Sequence, residues 1–168
     1  FSFSLAVYRT VIDDYFERFQ KTATTRSYRN IGEGVIRGYE IHASYKPTAR
    51  WTHGLSYGHQ LGRDSASGAS LADLSPNTWR YEATWRPSRA VVRLDISYRE
   101  RRSEFGPGEE PLDAVTLVNV AVSWPLSPQW EWGLACTNCA DQTFYGAADD
   151  RAALQPGRAI AVNFAWKP

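Results

Sequence analysis

The sequence has 168 residues, which is long enough for one domain with a sizeable core. Nineteen basic and eighteen acidic side chains leave a net charge of +1, so charge indicates neither nucleic acid nor an anionic membrane surface as a partner. No apolar run approaches the roughly 18 residues of a membrane helix, which excludes helical spanning but not spanning by strands of about 9 to 11 residues.

Two-residue alternation of apolar and polar side chains recurs along the chain and predicts strands. In WRYEATWR, residues 79–86, the aromatic residues share one face and the charged residues the other. AVVRLDISYR, residues 90–99, repeats this pattern. We predict no helix and eight strands, at residues 2–17, 25–46, 49–63, 76–87, 89–103, 111–124, 128–144 and 156–167.

The connections between these strands alternate in length. KPTAR, RPSRA and PLSPQ are short and carry Pro, whereas QKTATTR, RDSASGASLADLSPN, SEFGPGEEPLD and YGAADDRAALQPG are long and polar. Short turns on one rim and long loops on the other are typical of outer-membrane barrels. The predicted fold is therefore an all-β, antiparallel, up-and-down transmembrane β-barrel segment, with short periplasmic turns and long extracellular loops.

Aromatic residues cluster beside the short turns, where an aromatic girdle meets the membrane interface. The predicted membrane girdle comprises Tyr45, Trp51, Trp85, Trp124 and Trp130. Outer-membrane lipid is therefore an expected partner.

Several stretches resemble the barrel of TonB-dependent outer-membrane receptors. VYRTVIDDYF resembles the family's strand that ends in Ile-Asp-Asp, and YRNIGEGVIRGYEIHASYKP its Asn-x-Gly strand with a Gly-x-Glu pair. LADLSPNTWRYEATW resembles its Pro-Asn re-entry loop, and QPGRAIAVNFAW its Pro-Gly-Arg final strand. NCADQTFY stands where the family has Asn-Leu-Phe-Asp before an aromatic residue, with Cys139 and Ala140 in place of Leu-Phe.

This resemblance implies energy-dependent uptake of a scarce ligand across the bacterial outer membrane, with a ferric siderophore as the default ligand and a cobalamin or a glycan as alternatives. It implies a receptor and transporter rather than an enzyme. The near-neutral charge indicates no nucleic-acid partner. Residues 1–168 would form a single β-barrel region, the C-terminal portion of a larger 22-stranded plugged barrel. Met is absent and Phe1 comes first, so we expect an excerpted or mature piece. The plug domain, the TonB box and contacts with the TonB energising complex would lie in missing parts of the chain.

Ligand would meet the upper lumen and the loops, where the expected binding residues are Arg80, Glu82, Arg99 and Arg101. In the RERR run at 99–102, alternation directs Arg99 and Arg101 into the lumen and Arg102 outward. A basic cluster at the extracellular mouth would attract an anionic metal chelate. No catalytic constellation, metal site or cofactor is predicted.

The CTNC run could hold a metal, a redox pair or two packed side chains. On a continuous strand, Cys136 and Cys139 point to opposite faces with Cα atoms about 10 Å apart, beyond disulfide reach. If the strand ends near Asn138, a local disulfide between the two cysteines is possible. His53 and His59 share the predicted lipid-facing side and are expected to be interfacial.

Two other interpretations stay open at this point. One is a self-contained eight-stranded outer-membrane barrel with a structural or adhesive role, whose interior side chains leave no pore. The other is a soluble lipocalin-like binding barrel, in which Trp85, Leu94, Val120 and Phe164 would pack together in a dry interior.

Overall fold

The computed structural model describes residues 1–22, 25–149 and 152–166, which form strands, turns and loops without a helix. No helix in these ranges is therefore long and apolar enough to cross a membrane. The strands are β1 (Ser2–Asp13), β2 (Phe16–Gln20), β3 (Arg26–Asn30), β4 (Glu33–Thr48), β5 (Trp51–Asp64), β6 (Thr78–Trp85), β7 (Val91–Arg99), β8 (Val115–Pro125), β9 (Trp130–Thr137) and β10 (Ala159–Trp166).

Eight of the strands form one antiparallel sheet in the order β1-β4-β5-β6-β7-β8-β9-β10. These are the eight strands that the alternation predicts. The sheet is open, because in the described ranges β1 and β10 form its two edges and do not pair with each other. A self-contained eight-stranded barrel would require that pairing, so the structure argues against this alternative.

The first two predicted strands are each interrupted, and this part of the prediction is wrong. The predicted segments 2–17 and 25–46 break where Asp14 and Gly32 adopt positive φ angles of 54° and 80°. Tyr15 N donates to Gly32 O at 3.0 Å, and Ile31 N donates to Tyr15 O at 3.0 Å. Beyond this break, β2 and β3 form a separate two-stranded hairpin that extends past the long-loop rim.

Three later strands are shorter than predicted because the loops take over their ends. β7 ends at Arg99 rather than 103, β8 begins at Val115 rather than 111, and β9 ends at Thr137 rather than 144. The predicted end of the last strand at residue 167, and parts of two predicted long loops, lie outside the described residues.

The register places the two sets of side chains on opposite faces across the whole sheet. Trp85 stands opposite Trp51 and Val92, and Leu94 stands opposite Val120, all on one apolar face. Trp85 is 38% exposed and Phe164 68% exposed, so this face is not the dry interior that a soluble barrel would require. The other face, called the polar face below, carries charged, hydroxyl and small side chains.

Burial is concentrated where a long loop lies on the polar face. Leu71 of loop 65–77 is fully buried. A Cβ added at Gly62 would lie 3.1 Å from Leu71 Cδ1, and one added at Gly34 would lie 3.2 Å from the same atom. The absence of side chains at these two positions therefore lets the loop approach the sheet backbone closely.

Gly38 is a further point of close approach, and its substitution tests the packing of the wall. A Cβ there would collide with the Tyr8 hydroxyl and lie 2.5 Å from the carbonyl oxygen of His59. We expect Gly38→Ala to destabilise the folded sheet by about 1–3 kcal/mol, because the His59 oxygen belongs to the backbone and cannot move away. Urea unfolding of the full-length protein, followed by the difference in gel mobility between its folded and unfolded forms, measures this loss.

Gly58→Ala is the matched control. Gly58 lies on the same face, but a Cβ there would meet nothing within 4 Å. Equal urea midpoints for the two variants would contradict the predicted collision.

Candidate functional site

Three charged side chains of β6 and β7 form an ion-pair cluster on the polar face. Arg80 Nε donates to Asp95 Oδ2 at 2.5 Å, and Arg80 Nη2 lies 3.2 Å from Glu82 Oε1. Asn119 of β8 donates to the other Asp95 oxygen at 3.0 Å. Arg80 and Glu82 remain about half exposed, so both stay accessible to a solute beside this wall.

Arg99 lies at the long-loop rim of the same face and holds two loops. Its Nη1 donates to Tyr145 O at 2.7 Å, and its Nη2 donates to Asp113 O at 3.1 Å. The guanidinium carbon lies 5.6 Å from the centroid of the Phe144 ring. The buried Nε has no hydrogen-bond partner among the described residues, so Arg99 keeps one unused donor.

Arg101 is the freest cation of the predicted set. Its side chain is 70% exposed, and the carboxylate recorded beside it, Asp113 Oδ1, lies 3.9 Å away and is itself exposed. At that distance and exposure the pair contributes little stability, so Arg101 can change partners.

Arg102 does not face outward, and the prediction that it does is wrong. Strand β7 ends at Arg99, so alternation no longer fixes the direction of this side chain. The side chain of Arg102 is only 11% exposed and pairs with Glu109 at 2.9 Å. It also donates to the carbonyl oxygens of Leu71 and Leu74 in the neighbouring loop.

Glu109 joins loop 65–77 to loop 100–114. Its Oε1 accepts the Asp73 N–H at 2.8 Å, and its Oε2 accepts the Gly106 N–H at 2.7 Å. The Glu109 side chain is 3% exposed and that of Arg102 11%, so the two charges are buried together. We refer to this arrangement of Arg102, Glu109 and their backbone partners as the loop staple.

The β2–β3 hairpin has one internal ion pair and is attached to a loop by two others. Within the hairpin, Arg29 pairs with its cross-strand partner, the buried Glu17, at 2.8 Å. Arg18 Nη1 and Arg26 Nη1 lie 2.7 Å and 3.4 Å from the Asp149 carboxylate. The hairpin and the long loops therefore form one layer over the long-loop rim.

The structure brings the four predicted binding residues to one region. Most of their hydrogen-bond and ion-pair partners could not be predicted from the sequence. Arg99 stands opposite Thr78, two residues before Arg80, so both arginines share the polar face near the rim. The alternating pattern identifies Asp95 as a partner on that face. The loop carbonyls that hold Arg99 leave no signal in the sequence.

Cys136 and Cys139 form a disulfide, so the expected divergence of the two side chains is wrong. β9 ends at Thr137, and Asn138 adopts a φ of 46°. The resulting turn reduces the Cα–Cα distance to 5.6 Å. The sequence allows a local disulfide if the strand ends near Asn138, and the structure meets this condition.

The two predicted interfacial histidines lie on the apolar face and have polar partners there. His53 Nδ1 lies 2.8 Å from the Tyr81 hydroxyl, and its ring stacks on Trp51 at 5.5 Å. His59 Nδ1 lies 2.9 Å from Asn77 Oδ1. Across the described ranges, no group of three or more His, Cys, Asp or Glu residues is placed to hold a metal ion.

The aromatic residues expected to form the girdle share the apolar face at the short-turn rim. The Trp51 and Trp85 rings stack with their centroids 5.4 Å apart. All five are exposed side chains, namely Tyr45, Trp51, Trp85, Trp124 and Trp130.

Comparison with known families identifies the family to which this eight-stranded sheet belongs. A family model described as "TonB dependent receptor-like, beta-barrel" matches residues 1–139. The chain belongs to the TonB-dependent receptor β-barrel family. Receptors of this family are transporters of the bacterial outer membrane, not enzymes. The family match confirms the resemblance seen in the sequence, and together with the antiparallel sheet it confirms the predicted fold class. No curated protein matches the chain.

Solved structures share the fold of this receptor barrel at low sequence identity. The "Copper transporter OprC" superposes with a TM-score of 0.87 at 15% identity, over 98% of this chain and 27% of that one. The ferripyoverdine receptor of Pseudomonas aeruginosa gives 0.76 at 17%, over 98% and 24%. The ferric-catecholate import receptor Fiu of E. coli K12 gives 0.73 at 16%, over 97% and 24%. The chain thus spans about a quarter of the length of each.

Removing the charge of Glu109 tests the loop staple of the receptor barrel. We expect Glu109→Gln to destabilise the loop layer by about 3 kcal/mol or more, because it leaves the buried Arg102 uncompensated. Amide hydrogen exchange of residues 65–77 and 100–113 in the full-length protein should accelerate about a hundredfold.

Asp113→Asn is the control for charge loss in the same loop, since Asp113 is almost fully exposed. Unchanged exchange in Glu109→Gln, or equal acceleration in both variants, would refute the staple.

The hydrogen bonds of Glu100 with Asn77 and Trp79 depend on pH. Hydrogen bonds from Asn77 Nδ2 at 3.0 Å and Trp79 Nε1 at 2.9 Å hold the pKa of this carboxyl below its usual range. A lowered pKa means that the stabilisation is present above the ordinary glutamate value of about 4.3 and is lost as the pH falls through the folded-state pKa. The indole NMR signal of Trp79 should therefore shift only below that ordinary value.

In Glu100→Gln the transition should be absent, and the Trp130 indole at the opposite rim should not report it in either protein. A midpoint at or above about 4.3 would contradict the assigned cause.

Proposed function

We propose that residues 1–168 are a single β-barrel region, the C-terminal part of the wall of a larger plugged barrel, which imports a scarce anionic ligand of the ferric-siderophore class. The observation that carries the proposal is the arginine-rich region where the polar face meets the long loops. Family membership supports a receptor, and the partial coverage of the solved relatives supports a longer parent protein.

Two arginines of the region have donors accessible to an oxygen-rich anion. Arg101 is exposed and weakly paired, whereas Arg99 donates to two loop carbonyls and its remaining Nε is buried. Arg80 binds Asp95 but remains about half exposed. Guanidinium groups suit such ligands because they present several N–H donors in a fixed plane. Glu82 would limit entry to ligands that tolerate a carboxylate beside Arg80.

The position of the wall in the membrane follows from the same proposal. The aromatic residues at the short-turn rim would form the periplasmic girdle, and the loop layer would face the outside of the cell. Tyr45, Trp51, Trp85, Trp124 and Trp130 would contact outer-membrane lipid at that interface. Energised transport would further involve a plug domain and the TonB complex, which other parts of the parent protein would engage through a TonB box.

Uptake by a receptor-deletion strain complemented with the full-length protein tests this function. The probes are iron-55 complexes of citrate, a trihydroxamate and a tricatecholate, with cobalamin as the non-ferric comparison. We expect uptake of one ferric class that requires the receptor. Arg101→Gln should reduce binding of that chelate about threefold to tenfold, because one charge-assisted contact is lost.

Arg89→Gln is the matched control, since Arg89 is an exposed arginine in the short turn at the opposite rim. Receptor-dependent uptake of cobalamin but of no ferric complex would overturn the siderophore class. Equal losses in Arg101→Gln and Arg89→Gln would overturn the assignment of the binding region.

A further inference from the structure

A pair of arginines interrupts the apolar face near its long-loop end. Arg9 of β1 and Arg37 of β4 are direct cross-strand partners. Both alternate with apolar neighbours in their strands, and both are exposed. This arginine pair therefore projects from the surface that faces lipid, not from the polar face.

Within the described chain, Arg37 has no acidic neighbour on this face. Its neighbours along β4 and across β1 and β5 are Val35, Tyr39, Arg9, Val7, Val11, Leu61, His59 and Arg63. Arg63 is already paired with Glu104 at 2.5 Å. Glu33, four residues along β4, accepts a hydrogen bond from Ser65 Oγ at 2.5 Å. The positive charge of Arg37 thus faces Arg9, the Glu104-paired Arg63 and otherwise apolar or aromatic groups.

Two like charges directly opposite each other in a sheet destabilise it. A lipid-facing arginine is strongly destabilising at the membrane midplane but costs little near the interface. An anion at the level of the pair would offset both costs. The height of the pair in the membrane therefore decides which anion can reach it.

The strand geometry places Arg37 at the outer interface. It lies eight residues from Tyr45 of the short-turn rim. At about 3.3 Å per residue and a tilt of 35–45°, this separation corresponds to about 20 Å along the membrane normal, close to the roughly 25 Å apolar band of such barrels.

Aromatic contacts lie two to four residues from this level along β4 and β5, toward the short-turn rim. The Tyr39 and His59 rings lie 5.1 Å apart, and the Tyr57 and Trp79 rings lie 4.2 Å apart. These rings share the apolar face next to the arginine pair, as expected of an interfacial belt.

We propose that Arg9 and Arg37 bind the phosphate of a glycolipid head group in the outer leaflet. Cross-strand Cβ atoms lie about 5 Å apart, so the two guanidinium groups can donate to one phosphate. Valine and leucine side chains surround the pair and offer acyl chains a continuous apolar surface. That surface fits a phosphate attached to lipid better than a free phosphate ion.

Binding of lipid A to the full-length receptor in detergent tests the proposal, with native mass spectrometry as the readout. The probes are bisphosphorylated lipid A and the same lipid after dephosphorylation. We expect the wild type to prefer the phosphorylated form. The Arg9→Gln/Arg37→Gln variant should bind that form about tenfold or more weakly, because two charge-assisted contacts are lost, and the dephosphorylated form unchanged.

Arg93→Gln is the matched control, because Arg93 is an exposed strand arginine on the polar face. Equal losses in this control, or no preference of the wild type for phosphorylated lipid, would overturn the proposal. Displacement of lipid A by millimolar inorganic phosphate would also overturn it, in favour of a free-anion site.

If the double glutamine variant does not fold, Arg9→Lys/Arg37→Lys keeps both charges but loses the paired donors of each guanidinium. We expect it to bind phosphorylated lipid A several-fold more weakly, and wild-type affinity would overturn recognition by the arginine pair. Ferric-chelate uptake does not enter this readout, so the lipid site can fail without the proposed function failing.

Discussion

Backbone pairing across the sheet is the constraint on which this structure depends. In hydrocarbon each unpaired peptide group costs several kcal/mol, so a membrane wall needs continuous strands whose N–H and C=O groups bond to neighbouring strands. Once strands pair in a fixed register, side chains alternate strictly between two faces. One choice of register therefore sets lipid contact and lumen charge together. Trp51, Trp85 and Val92 meet on one side of the sheet, while Glu82 and Asp95 meet on the other.

The same constraint explains what could be predicted from the sequence. The number of strands and the direction of their faces follow from a local two-residue period, which the chain displays wherever the sheet is continuous. The β2–β3 hairpin and the disulfide could not be foreseen in this way. Both depend on single residues with positive φ, Asp14 and Asn138, and Asp and Asn adopt such angles only in some of their many contexts.

In the candidate site too, the residues inside continuous strands could be predicted from alternation and those in the loops could not. Alternation directed Arg80 and Glu82 to the polar face correctly, because both lie inside β6. It failed for Arg102, which lies beyond the last residue of β7 and turns into the loops. The partners of Arg102 and Glu109 include backbone groups more than 25 residues away, and backbone groups are identical at every position. Sequence patterns carry no record of such contacts.

Glu109 joins the two central loops of the loop layer, and Leu71 packs one of these loops against the sheet. Leu71 fills the space left by Gly34 and Gly62, which closes the upper polar face beneath loop 65–77. Glu109 accepts from this loop and pairs with Arg102, which donates back to it. Lifting loop 65–77 therefore breaks the hydrogen bonds that join it to a buried ion pair and exposes a buried leucine at the same time. The ion-pair cluster around Arg80 lies lower on the wall and stays half exposed, so a solute beside the wall can contact it without that cost.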